Sequence, residues 1–228
     1  MPFSSVLGAS SVIKPGVCTS TTRPTVPYIG QLIFETDTSR LAVWTGSAWQ
    51  YETAAAGPPG LVYITGASFT AASTVSLATN TFSASYRNYK VIYSITSGST
   101  DITLTGRLRA AGSDLTGSNY NTGYIGRDNL AGVFSIAEVN QSSAQLGVGI
   151  SSGGVNQSGL IIDFLEPQLS DKTIFATQGY YQATTLGGAG WMQGGGLYNV
   201  ATAADSFTII CSAGNITGTV RVYGYSDS

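Results

Sequence analysis

The sequence predicts an all-β protein: an extended N-terminal arm, a three-stranded meander and then a jelly-roll-like β-sandwich. Three observations lead there. Apolar and polar residues alternate with period 2 in segment after segment beyond residue 60, no ten-residue stretch carries a helical stripe, and Gly, Ser and Asn turns recur at the spacing of sandwiches and barrels. The composition agrees. Only 10% of the 228 residues are charged, whereas 29 Gly, 28 Ser and 27 Thr supply surface polarity through hydroxyls and backbone. A single closed barrel is the second architecture that fits the pattern.

Proline marks the organisation, because six of the seven (Pro2, Pro15, Pro24, Pro27, Pro58, Pro59) precede residue 60. Residues 1–30 show no sustained period and read as an extended anchoring arm. Its apolar residues Phe3, Val6, Leu7, Val12 and Ile13 are the candidate anchor contacts to whatever the arm lies against. Residues 31–53 read as the meander: QLIFET, LAVWTG and AWQYE, separated by a DTSR turn and a Gly46-Ser47 turn. A sheet this small buries one face at most and needs a covering layer. The expected source is another chain, with Phe34, Trp44, Trp49 and Tyr51 as the contacts between chains. Residues 54–60, AAAGPPG, form a linker.

Residues 61–228 carry about ten alternating strands on the period-2 reading. In DITLTGRLR the core set is Ile102, Leu104 and Leu108, in KVIYSIT it is Val91, Tyr93 and Ile95, in LIIDFL Leu160, Ile162 and Phe164, and in SFTIIC Phe207, Ile209 and Cys211. TQGYYQATTLGGAGWMQGGGLY, residues 177–198, reads as tyrosines followed by a glycine-rich loop. Tyr180, Tyr181, Trp191 and Met192 are the candidate receptor or interface residues there, since aromatic rings offer large contact area with few rotamers to fix. Trimer packing and intramolecular core are the competing readings of Trp191.

The same residues exclude much chemistry. With no histidine, there is no Ser-His-Asp or Cys-His arrangement, no imidazole base and no His metal ligand. A glycosidase needs only two opposed carboxylates, but the candidate acid pair, Asp163 and Glu166, falls on an outward strand position and in a turn, where solvent accounts for it. The stretch around Asp114 lacks the spacing and closing Glu of a calcium loop. Cys18 and Cys211 are too few for a disulfide framework and read as unpaired. Asn140, Asn156 and Asn215 precede x-Ser/Thr as chance matches in a hydroxyl-rich chain. The expectations are therefore no enzyme, no catalytic residue, no metal and no cofactor. Ten Lys and Arg against twelve Asp and Glu cannot form the basic stripe of a nucleic-acid binder. No run has the length of a membrane span, and MPFSSVLGASSVIK lacks the pattern of a signal peptide.

One stretch, TRPTVPYIGQLIFETDTSRLAVWTGSAWQYE, has four landmarks: Arg23-Pro24, Pro27 to Gly30, Thr36 to Thr38, and Gly46 to Trp49. It resembles a segment found near the start of tailed-bacteriophage virion proteins, especially minor tail and tail-fibre proteins. The ending GNITGTVRVYGYS, residues 214–226, is similar to the last hairpin of phage appendage domains. The resemblance implies a homotrimeric structural protein located in the virion and assembled in the bacterial cytoplasm. Its amino-terminal part would attach to other proteins of the tail, baseplate or capsid, and its β-rich tip would point outward, in reach of host cell-surface glycan. Two alternatives stay open: a capsid decoration or head-fibre protein, and, from another class, a carbohydrate-binding module or glycanase.

Overall fold

A computed structural model describes residues 15–51, 60–128, 132–150, 158–183 and 188–226. The chain divides into two compact units, Met1–Gly57 and Pro58–Ser228. Every described regular element is a strand, seventeen in all.

The first unit is a four-stranded sheet in the order β1 (Gly16–Cys18), β2 (Leu32–Glu35), β3 (Arg40–Trp44), β4 (Trp49–Tyr51). Strands β2 to β4 are the antiparallel meander that the turn residues indicate. Strand β1 is an addition, paired in parallel with β2 through Gly16 opposite Ile33 and Cys18 opposite Glu35. From Pro15 onward the supposed arm is thus built into the meander. A three-residue parallel strand has no sequence period of its own, so only its partner reveals it.

The second unit is a sandwich of two antiparallel sheets. The larger has eight strands in the order β11 (Gly132–Gln141), β10 (Tyr120–Asp128), β15 (Gly188–Tyr198), β14 (Thr173–Ala183), β13 (Ser158–Leu165), β7 (Asn88–Gly98), β17 (Ile216–Ser226), β5 (Gly60–Ala72). The smaller runs β12 (Ala144–Ile150), β8 (Ile102–Ala110), β16 (Ser206–Cys211), β6 (Thr74–Ser76), with β9 (Ser113–Asp114) paired to β8. Alternation decides the faces. The odd positions of β7 (Tyr89, Val91, Tyr93, Ile95) and the even positions of β13 (Leu160, Ile162, Phe164) are buried and meet Ile102, Leu104, Leu108, Leu146, Phe207 and Ile209 of the smaller sheet.

Two kinds of contact tie the layers. The Phe164 and Phe207 rings, one from each sheet, lie 4.9 Å apart. The buried Tyr120 hydroxyl accepts the Leu108 N–H at 3.0 Å and donates to the Leu115 carbonyl at 2.9 Å. Cys211, at the end of β16, is partly exposed, and burial of the thiol pushes it up to about 11.

Glycine makes room for these rings. A Cβ on Gly106, mid-strand in β8, would overlap the Phe207 ring and crowd Leu146. Gly106→Ala should therefore destabilise the sandwich by about 1–3 kcal/mol through overpacking, lowering the thermal midpoint by several degrees relative to the native chain in a circular-dichroism melt.

Candidate functional site

In the first unit the landmarks of the resemblance interlock. Strand register places Ile33, Glu35, Arg40, Ala42, Trp44, Trp49 and Tyr51 on one face of the sheet. Leu32, Phe34, Leu41 and Val43 lie on the other. The four aromatics proposed as one contact set are thereby separated, with Phe34 alone on the second face, and all four are half-buried. The chain itself supplies the first face's cover, because Arg23 reaches over it from the segment between β1 and β2.

At the centre is Glu35, completely buried although ionisable. One carboxylate oxygen takes the Arg23 Nε–H; the other accepts from the Tyr51 hydroxyl at 2.8 Å and Thr38 Oγ1 at 3.0 Å. Arg23 also donates to the Tyr51 hydroxyl at 2.8 Å, and the Arg40 guanidinium lies 4.1 Å from the Tyr51 ring centre. The Arg23 bond, followed in importance by those of Tyr51 and Thr38 against an opposing desolvation, holds the Glu35 carboxyl below its ordinary value. A buried carboxylate requires such partners. Asp37 performs a second tie, accepting the Ser20 N–H at 2.9 Å.

The remaining landmarks shape turns. Gly30, at φ +84°, donates its N–H to the Trp44 carbonyl at 2.8 Å. Gly46, at φ +101°, lets the β3–β4 hairpin close by a Thr45 N–H to Ala48 carbonyl bond of 3.0 Å, and the Trp44 and Trp49 rings then meet at 5.5 Å. Nothing in the landmark motif itself singles out Glu35. Its inward parity beside Ile33 was the available signal.

The anchor residues Phe3, Val6, Leu7, Val12 and Ile13 lie outside the described residues. The glycine-rich stretch near Trp191 is placed differently from expectation. Gly188–Tyr198 is a strand in the interior of the eight-stranded sheet, paired on both sides, rather than a loop. Tyr181 and Met192 point into the core, 8% and 1% exposed, whereas Tyr180 and Trp191 stand on the outer face at 53% and 43%.

Register then arranges that face in rows. Arg127, Trp191 and Tyr180 are successive cross-strand partners on β10, β15 and β14. Ile125, Gln193 and Gln178 form the next row, and Gly123, Gly195 and Ala176 the third. Gln178 donates from Nε2 to the Tyr180 hydroxyl at 3.1 Å. Beside the small residues of the third row lies a shallow depression of about 370 Å³ bordered by Gly123, Ile125, Ser135, Ala137 and Gln193.

The acid pair is held by cations. Asp163 accepts from Lys90 Nζ at 2.7 Å and from the Tyr225 hydroxyl at 2.6 Å, while Glu166 pairs with Arg87. Asp114 likewise accepts from Arg109 at 3.1 Å and Thr208 at 3.0 Å. Among the described residues no group of three or more Cys, Asp and Glu converges as metal ligands.

No family model and no curated protein matches the chain. Among solved structures, it is similar to the CBM2 module of the evolved Dit protein of Lactobacillus casei BL23 phage J-1, with a TM-score of 0.29 and 10% identity over 75% of this chain and 81% of that one.

The Glu35 network sets the acid response of the first unit. Since the folded carboxyl titrates below the unfolded value of 4.5, its stabilisation is present above that pH and is lost as pH falls through the folded-state value. Tryptophan fluorescence of a Trp191→Phe chain, which reports Trp44 and Trp49 only, should show the first unit opening in that acid range. Glu35→Gln should weaken the unit at neutral pH and flatten the acid dependence.

Proposed function

We propose that the chain is a non-enzymatic structural protein of a tailed-phage virion, a trimeric tail or baseplate appendage whose N-terminal part attaches to the particle and whose sandwich faces outward. The observation that carries the reading is the Arg23–Tyr51 segment. Its landmarks resemble those of phage virion proteins, and here they close a single interlocked unit around Glu35. Such a unit serves as a compact, repeatable connector between a preceding attachment segment and a following domain. The absence of histidine and the pairing of Asp163 and Glu166 with Lys90 and Arg87 support a non-catalytic role.

Attachment as a capsid decoration or head fibre uses the same parts and differs only in position on the particle. A second reading, binding of carbohydrate by the sandwich, is favoured by one specific observation: Tyr180 and Trp191 are exposed partners on a rigid sheet face. In the virion this becomes the outward tip's contact with the host surface.

Two measurements test the proposal. A chain beginning at Leu61 should retain the β circular-dichroism spectrum of the sandwich, which has its own core, yet fail to incorporate into particles; incorporation at the full-length level contradicts attachment through the N-terminal part. Light scattering of the full chain should give three times the 23.6 kDa monomer mass. A stable monomer contradicts the trimer.

A further inference from the structure

We infer that the outer face of β10, β15 and β14 is a saccharide-binding platform that selects an anionic glycan, with Trp191 and Tyr180 as the stacking surface and Arg127 as the charge contact. The inference deepens the outward-tip reading and rests on it.

The argument begins with geometry. Arg127, Trp191 and Tyr180 share one row across three adjacent strands, and the Ile125, Gln193 and Gln178 row lies beside it. With strands about 4.8 Å apart and same-face residues about 6.8 Å apart along a strand, the two rows cover roughly 10 by 7 Å. Each of the three strands is paired on both sides, so the backbone beneath these residues is fixed and little ordering entropy is lost on binding. The sheet presents a shelf with rings at one end, amides in the middle and a depression of about 370 Å³ at the other.

Chemistry selects the occupant. An apolar protein segment would want a continuous hydrophobic groove, but here two large rings and Ile125 alternate with two glutamines and a cation. A sugar ring presents an apolar C–H face and a rim of hydroxyls, which suits a ring platform bordered by groups that both donate and accept. Arg127 is exposed at the Trp191 end, and no acidic residue lies in the three rows on β10, β15 and β14; Asp163, which continues the third row on β13, is held by Lys90 and Tyr225. Charge complementarity therefore favours a carboxylate or phosphate on the saccharide, which a guanidinium binds as a two-pronged donor.

Gly123 supplies an independent handle. It is exposed, and a Cβ there meets only the Ile136 carbonyl oxygen at an ordinary 3.7 Å, so the sheet tolerates a side chain at this position. The native glycine leaves the depression open, and a tyrosine would fill it without touching the aromatic row.

The test applies purified full-length chain to an array of bacterial surface polysaccharides bearing uronates, phosphodiesters or only neutral sugars. The native chain should be retained on anionic spots, with the uronate and phosphodiester arms showing which acid is read. Trp191→Ala and Gly123→Tyr, each first shown to melt like the native chain, should each lose at least tenfold in apparent affinity. Arg127→Gln should erase the preference for anionic over neutral spots. A native chain that binds no saccharide, or that binds with equal affinity after both Trp191→Ala and Gly123→Tyr, overturns the inference. Those results leave particle incorporation unaffected, so failure of the platform and failure of the virion reading are told apart.

Discussion

The sandwich depends on a steric constraint: large rings occupy space that only glycine backbones leave free. Phe207 lies against Gly106, Phe134 against Gly126, Tyr181 against Gly190, Phe175 against Gly196 and Tyr86 against Gly224, and at each glycine a Cβ would overlap the ring. Three of these pairs are direct cross-strand partners. The glycines that would weaken isolated strands are thus compensated by aromatic cover. Met192 plays the same part over Gly147, at φ +73°. This coupling permits the large sheet to stay regular through Gly194, Gly195 and Gly196, and so holds the outer face above them in register.

Much of this was legible in the sequence where burial is one-sided. Val91, Tyr93 and Ile95, or Leu160, Ile162 and Phe164, declare an inward face by alternation alone, and the hairpin around Gly46 is declared by its turn residues. The misplaced element was β15. Glycine density is a loop signal when only local propensity is considered, and nothing in LGGAGWMQGGGLY says that Tyr181, Phe175 and Tyr124 will lie over it. The partners are set by pairing of distant strands, which is tertiary information. Strand β1 was hidden for the same reason.

The Glu35 network illustrates a second limit. A carboxylate in a strand reads as solvent-facing until its partners are known, and those partners, Arg23, Thr38 and Tyr51, come from three separate segments. Their spacing was visible as a motif, but its physical basis was not. In the folded unit Arg23 and Tyr51 supply the donors that a buried carboxylate requires, and Arg40 lies against the tyrosine ring. Arg23 and Thr38 belong to the landmark motif, and together with Glu35 and Tyr51 they close the small sheet.

The account's central claim is that a compact N-terminal connector serves attachment while a rigid sheet face is left outward. The most direct measurement is a cryo-electron microscopy map of virions purified from cells that produce the chain. The account predicts density for three copies per attachment point, with residues 1–51 against neighbouring particle proteins and Trp191, Tyr180 and Arg127 turned to solvent. Particles that lack the chain, or a map in which that face of the sandwich is buried against the particle while the N-terminal unit hangs free, would contradict it.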